Sequence, residues 1–156
     1  MLLSVSQENL DVVRRCFEAL ERAFDAYWRE PHSIADAMRA GELPPEWQEG
    51  WDYIHPEVEW ETVFLRETFR GHLEAARAWD DFLRWATDYR PHLEEVEDLG
   101  SDRVLGVIAL AGQGKGSDAR MDARFYDVFT IRDGMIARLQ EYTSRQEAMD
   151  AAGAGE

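Results

Sequence analysis

A β-hairpin is the clearest local signal in this chain, and it lies in residues 123–136, which read ARFYDVFTIRDGMI. The pair Asp133-Gly134 is typical of two-residue hairpin turns, because such turns need a positive φ at both central residues. Strand alternation before the turn places one set of side chains on the same face: Phe125, Asp127, Phe129 and Ile131. This face is apolar apart from Asp127, so we expect it to point inward and to hold the Asp127 carboxyl where water is scarce.

The register of the hairpin decides which side chain faces Asp127. A plain two-residue turn pairs Asp127 with Gln140, whereas one bulged residue in the last strand pairs it with Glu141. Two adjacent carboxyls do not readily ionise together, so the second register would raise one pKa beyond the effect of burial. We predict Asp127 as the catalytic acid/base residue and Glu141 as a second catalytic candidate. Under the other interpretation, Glu141 is solvated or arginine-paired at a sheet edge, and Asp127 makes a buried structural hydrogen bond.

Helices are predicted before this hairpin, at residues 7–26, 33–38, 46–54 and 72–89. Apolar side chains recur at three- and four-residue steps along the first of them: Leu10, Val13, Phe17, Leu20 and Phe24. Ser6 is the expected N-cap of this helix. Pro91 is expected to terminate the last one, because proline interrupts a helix.

Strands are predicted at residues 58–64, 93–99, 104–111, 123–132 and 135–143. Helices first and antiparallel strands afterwards predict an α+β fold, cone-shaped, with N-terminal helices packed on a strongly curved, mostly antiparallel sheet. Residues 104–111 are continuously apolar, and Tyr126 and Val128 lie on the outer face of their strand, so both faces of the sheet need cover. Helices on one side cannot cover both faces, which predicts a homodimer.

Composition excludes several classes of protein. The 156 residues fit one domain, and 17 Lys and Arg against 32 Asp and Glu give a net charge of -15. This balance argues against binding to nucleic acid, which needs basic surface, and against binding to anionic membranes. No segment reaches about eighteen apolar residues, so no membrane span is expected. The opening residues do not resemble a signal peptide, and we therefore expect a cytoplasmic protein.

Metal and cofactor sites are not expected. Cys16 is the one cysteine, so the chain can form neither an internal disulfide framework nor a cysteine-based zinc site. The histidines are scattered without the spacing of metal ligands: His32, His55, His72 and His92. The glycine-rich run at 112–116 joins two predicted strands and opens no helix, so it does not indicate a phosphate cradle.

Five stretches form a recognisable set: NLDVVRRCFEAL (9–20), HPEVEW (55–60), FRGH (69–72), ARFYDVFTIRDGMI (123–136) and EYTSRQEAMDAA (141–152). Together they resemble the nuclear transport factor 2-like superfamily, and within it the SnoaL-like polyketide cyclase branch. The resemblance implies a single domain over residues 1–150, with residues 28–48 as a helical insertion that diverges from the family. Residues 151–156 are expected to be a disordered tail. The implied architecture is a cone with an apolar pocket between helices and sheet, assembled as a homodimer.

The resemblance also implies a function: binding of a small apolar ligand in the cone pocket, with cofactor-free isomerase or cyclase chemistry by acid/base catalysis. In the ketosteroid isomerase-like relatives an acidic pocket residue matches Asp127. We expect the pocket to be lined by Trp60, Phe82, Phe129 and Leu139, with aromatic residues of 27–54 near its mouth.

The alternative is a non-catalytic ligand-binding or dimerisation module of the same fold. The tyrosine that the isomerase relatives carry on the first helix is replaced here by Cys16 or Phe17, and Trp60 stands near the position of their general base. A third interpretation is a closed cone whose tryptophans fill the interior.

Overall fold

The computed structural model of the protein describes residues 4–63, 66–116 and 119–154. The helices in this part of the chain are α1 (Val5–Arg29), α2 (Ile34–Ala40), α3 (Pro45–Asp52), α4 (Gly71–Leu83) and α5 (Arg145–Ala154). The strands are β1 (Ile54–Glu61), β2 (Thr68–Arg70), β3 (Ala86–Gly100), β4 (Arg103–Gly114), β5 (Arg120–Arg132) and β6 (Met135–Tyr142). None of the described helices is long and apolar enough to cross a membrane.

The strands form one sheet in the order β2-β1-β6-β5-β4-β3. The pair β1–β6 is parallel, and the other neighbouring pairs are antiparallel. Helices α1, α3 and α4 pack on one face of the sheet and enclose the main core with it. The edges are the three-residue strand β2 and the long strand β3. This arrangement confirms the predicted α+β fold with N-terminal helices on a mostly antiparallel sheet.

The long helix α1 begins earlier than the sequence predicted. Its N-cap is Ser4, whose hydroxyl accepts a hydrogen bond from the Gln7 N–H at 3.2 Å, while the Gln7 side chain accepts one from the Ser4 N–H. This capping box satisfies N–H groups of the first turn that have no partner within the helix. The prediction of Ser6 as the N-cap is therefore wrong. The predicted apolar stripe is correct, since Val13 and Phe24 are fully buried.

The segment 28–48 forms α2 and leads into α3, and Asp80 of α4 holds α2 in place. The Asp80 carboxylate accepts hydrogen bonds from Ser33 Oγ at 2.9 Å and from the N–H groups of Ile34 at 2.7 Å and Ala35 at 3.0 Å. A carboxylate at a helix N-terminus satisfies free N–H groups and interacts favourably with the helix dipole. The short helix α2 is thus anchored to α4.

The junction between α4 and β3 differs from the prediction. Helix α4 ends at Leu83 and β3 starts at Ala86, so the helix predicted over residues 72–89 is too long. Asp88 has a positive φ of 54°, which an α-helix does not accept. Pro91 lies inside β3, which is possible because an edge strand needs hydrogen-bond donors on one side alone.

The C-terminal residues also differ from the prediction. Residues 151–154 belong to α5 and are not a disordered tail, while residues 155–156 lie outside the described residues. Ala148 of α5 is fully buried and packs with Leu105 and Val128 on the face of the sheet opposite α1. The assumption that helices cover one face alone is therefore wrong, because α5 covers part of the outer face. The first predicted strand, 58–64, is observed as Ile54–Glu61, and residue 64 lies outside the described residues.

Candidate functional site

An apolar cavity of about 90 Å³ lies between α1, α3, α4 and the sheet. Its walls include Cys16, Phe17, Trp47, Trp51, Trp60, Trp79, Phe129 and Leu139. An apolar cavity of about 150 Å³ can bind benzene, so this space is of the order of one small ring. The interior is therefore not packed solid, contrary to the third interpretation of the sequence.

Three of the four residues predicted to bind a ligand line this cavity, namely Trp60, Phe129 and Leu139. The fourth, Phe82, lies in the wall of a smaller adjacent space. Cys16 faces the cavity as well, and burial raises the pKa of its thiol to about 12. The thiol is thus protonated at neutral pH, which does not suit a nucleophile.

The hairpin register brings Asp127 and Glu141 face to face across β5 and β6. Thr130 pairs with Arg138 and Ile131 pairs with Ile136, so an extra residue is inserted into β6 beside the turn. The bulged register is therefore the observed one, and Gln140 faces another residue. Beyond a bulge, every side chain of the strand is shifted by one partner position.

The Asp127 carboxyl is buried, with 5% of the residue exposed. Its Oδ1 atom has no hydrogen-bond partner among the described residues. A buried polar atom without a partner costs about 1–3 kcal/mol, so this position is not explained by fold stability. The interpretation of Asp127 as a residue held by a structural hydrogen bond is not supported at this oxygen.

Glu141 is half-buried within the sheet, because β6 lies between β1 and β5. Trp60 Nε1 donates a hydrogen bond to Glu141 Oε1 at 3.1 Å, and the Val63 backbone N–H donates another to the carboxylate. Arg138, the nearest arginine along β6, instead pairs with Glu61 at 2.7 Å. Glu141 is thus neither a solvated edge residue nor the partner of that arginine.

Burial dominates the electrostatics of this carboxyl pair. It raises the pKa of Asp127 well above the ordinary value, and the Glu141 charge raises it further. Burial raises the pKa of Glu141 to about 7, although the hydrogen bonds from Trp60 and Val63 oppose this effect. At neutral pH Glu141 is therefore about half ionised, while Asp127 favours its protonated form more strongly than an exposed aspartate does, so the pair offers a proton acceptor and a proton donor.

Tyr89 of β3 is a third polar residue near the pair, and sequence reasoning missed it. Burial raises the pKa of its hydroxyl well above the ordinary value, with further contributions from the charges of Glu141 and then Asp127. Its ring packs against Phe82, with 4.5 Å between the ring centroids. The sequence predicted a helix through residue 89. That assignment gave no reason to look for the strand alternation that directs the Tyr89 side chain inward.

A small side chamber of about 40 Å³ adjoins the apolar cavity. Its walls are Trp60, Thr62, Ala78, Trp79, Phe82, Tyr89 and Glu141. Trp60 and Trp79 belong to the walls of both spaces, and their ring centroids lie 5.2 Å apart. The two tryptophans therefore stand between the apolar cavity and Glu141. Among the described residues, no group of three or more His, Cys, Asp or Glu side chains could hold a metal ion.

No protein-family model matches the sequence, and comparison with curated proteins gives no match. Solved structures do match. A nuclear transport factor 2-like protein from Burkholderia thailandensis is 20% identical with a TM-score of 0.63, and the match covers 92% of this chain and 95% of that one. A protein assigned as a SnoaL-like polyketide cyclase from Jannaschia species CCS1 is 19% identical with a TM-score of 0.62, covering 99% and 98%.

A third structure is that of TerC, co-crystallised with polyporic acid. It is 16% identical with a TM-score of 0.58, and the match covers 94% of this chain and 98% of that chain. At such identities the likeness concerns the fold, since one fold hosts many functions. The element order, the sheet topology and these neighbours together establish that the chain has the nuclear transport factor 2-like fold, which SnoaL-like proteins share.

Proposed function

We propose that this protein binds a small, largely apolar molecule in the cavity and moves a proton on it, as a cofactor-free isomerase or cyclase. One observation carries the proposal: Asp127 and Glu141 are buried carboxyls paired across β5 and β6, and Glu141 lies in the wall of the side chamber that adjoins the apolar cavity. Buried titratable groups with strongly shifted pKa values cluster at functional sites.

The pair divides acid and base roles between its members. Glu141, with a pKa of about 7, takes a proton from a carbon next to a carbonyl, because a general base works best near the ambient pH. Asp127 keeps its proton and donates a hydrogen bond to the developing enolate oxygen, as a neutral carboxylic acid in an apolar site can do. Return of the proton from Glu141 to a different carbon of a conjugated enolate completes an isomerisation. In an aldol-type cyclisation the enolate carbon instead attacks a second carbonyl of the same molecule, and the proton held by Glu141 passes to the new alkoxide oxygen.

Two neighbours support this assignment without deciding it. One is assigned as a SnoaL-like polyketide cyclase, and another, TerC, was co-crystallised with polyporic acid. Both share the fold of this chain at less than 25% identity, so their ligands come to it as a proposal alone.

The test is hydrogen exchange at C2 of 1-indanone, the CH2 carbon beside the carbonyl, in deuterated buffer, followed by NMR. The wild-type protein is expected to accelerate the exchange, and the acceleration should increase as the pH rises through about 7, where Glu141 ionises. Asp127→Asn and Glu141→Gln are each expected to lose about a hundredfold or more of the acceleration, the usual contribution of a positioned acid or base. Glu61→Gln, which removes a carboxylate paired with Arg138, is the matched control and keeps full activity. Unchanged exchange in both site variants would refute the role of the pair.

A second candidate is a non-catalytic ligand-binding module. The position of Trp60 and Trp79 between the cavity and Glu141 favours it, because a ligand in the cavity need not reach the carboxyls. Cys16 and Phe17 line the cavity where the isomerase relatives carry a tyrosine. Saturable binding of 1-indanone without any exchange would support this candidate.

We further propose a homodimer in the cytoplasm. Helix α5 covers the outer face of the sheet around Val128, which leaves room for a second copy over the rest of that face. Light scattering is expected to give twice the chain mass of 18.0 kDa, and a mass of one chain would remove this part of the proposal. The single, buried Cys16 fits a reducing compartment. Fractionation of the source cells tests the location.

A further inference from the structure

The side chamber has aromatic walls on several sides. Trp79 lies against three of the other rings, with centroid distances of 5.2 Å to Trp60, 5.8 Å to Tyr89 and 6.5 Å to Phe82. The rings in these pairs are inclined by 40°, 50° and 82°, so they are walls of a box and not a parallel stack. Glu141 closes the same space with its carboxylate.

The side chains around this chamber are either acidic or uncharged. Asp127 faces Glu141 from β5, and Tyr89 faces the pair from β3. Strand β1 contributes Trp60, and α4 contributes Trp79 and Phe82, none of which is charged. No arginine, lysine or histidine among the described residues lowers the pKa of Asp127 or Glu141. The carboxyl pair thus has no cationic partner in the described part of the chain.

We propose that this chamber binds the ammonium group of an apolar amine, with the body of the ligand in the adjacent apolar cavity. The inference rests on the ligand-binding half of the proposed function and names its ligand class. It does not depend on whether proton transfer follows.

An ammonium group fits each feature of the chamber. The faces of aromatic rings attract cations and not anions, and sets of such rings recognise methylated and quaternary ammonium ions. A carboxylate adds a direct charge partner, which is worth more in a site with little water. The volume of about 40 Å³ admits a group of this size, since one water needs about 10–15 Å³.

The neighbouring cavity fits the rest of such a ligand. It shares Trp60 and Trp79 with the chamber, so a chain of a few atoms passing these two rings would join an apolar ring to the ammonium group. A neutral oxygen in the chamber would leave the charge of Glu141 without a cationic partner. An anionic group would be repelled by Glu141 and by the ring faces.

The probes are 2-phenylethylammonium and its neutral counterpart 2-phenylethanol, which differ at the terminal group alone. Isothermal titration calorimetry at pH 8 is expected to show binding of the amine on the order of tenfold tighter than binding of the alcohol. The amine keeps its proton below about pH 10. Its affinity therefore follows the ionisation of Glu141, with its pKa of about 7, and rises as the pH increases. Between pH 5.5 and 8 the ionised fraction of such a group grows roughly thirtyfold, which sets the upper limit of the gain.

Two variants distinguish binding of the ammonium group in the chamber from binding of the apolar ring in the cavity. Glu141→Gln is expected to abolish the preference for the amine and its pH dependence while binding of 2-phenylethanol is retained. Glu61→Gln is the control and is expected to keep the preference for the amine and the pH dependence of that preference. If the alcohol binds as tightly as the amine, or if Glu141→Gln keeps the amine preference, the inference is overturned and apolar ligand binding stands. If neither compound binds at pH 8, the ligand-binding function fails together with the inference.

Discussion

Replacing Glu141 by glutamine should make the protein more resistant to alkaline pH. The substitution keeps the size of the side chain and an oxygen that can accept the hydrogen bond from Trp60 Nε1. It removes the one feature that makes this position costly, which is a carboxyl that must ionise while buried between β1 and β5. We therefore expect the free energy of unfolding of the variant to depend less on pH than that of the wild type.

The magnitude follows from the pKa of Glu141, which burial raises from 4.5 to about 7. The folded state holds this proton more tightly than the unfolded state, so stability is lost as the pH rises from the unfolded to the folded pKa. At about 1.4 kcal/mol per pKa unit, the ionisation costs roughly 3 kcal/mol in total, and roughly 2.5 kcal/mol of it develops between pH 5 and pH 8. Loss of the Glu141 charge also lowers the pKa of Asp127, which acts in the same direction.

Urea denaturation followed by circular dichroism at several pH values from 5 to 8 measures this effect. The difference in unfolding free energy between Glu141→Gln and wild type should grow by about 2.5 kcal/mol across this range in favour of the variant. Glu61→Gln, in the adjacent strand, serves as the control and should show no such trend. A difference that stays constant from pH 5 to pH 8 would show that Glu141 ionises as easily in the folded protein as in the unfolded chain.

Two further predictions concern the framework of the site. Asp80→Ala removes three hydrogen bonds to a charged carboxylate. It should therefore lower the unfolding free energy by about 2 kcal/mol and increase amide hydrogen exchange in α2. Unchanged exchange in α2 would contradict this prediction. Gly106→Ala should cost about 1–3 kcal/mol in a urea titration, because the new Cβ would lie 2.7 Å from Phe129 Cε2. The same change should weaken 1-indanone binding by pushing Phe129 towards the cavity, and full affinity would show that the ring has room to move.

The sequence predicted the fold because its strongest signals are local. The turn Asp133-Gly134 and the alternation before it place Asp127 and Phe129 inward, and both residues are buried. The partner of Asp127 was left open between two residues. An inserted residue in β6 arises from the twist and packing of the whole sheet, so the hairpin sequence alone does not decide it.

Tertiary packing decided the remaining features. The apolar spacing before Tyr89 suits a helix as well as a strand, and the strand forms because β4 pairs with it through residue 114. The contribution of Trp79 to both spaces depends on where α4 crosses β1, which no local pattern encodes. Helix α5 was missed because its composition is small and polar, and Ala148 becomes a core residue only against Val128.

The two edge strands of the sheet, β2 and β3, are poor sites for pairing with a strand of another chain. Strand β2 has three residues, and β3 carries Pro91 together with a run of acidic residues, Glu94, Glu95, Glu97 and Asp98. Short edges, proline and charge are the devices by which β proteins prevent strand addition and the growth of fibrils. Strand addition at these edges should therefore be disfavoured, and the homodimer proposed above would form through the faces of the sheet.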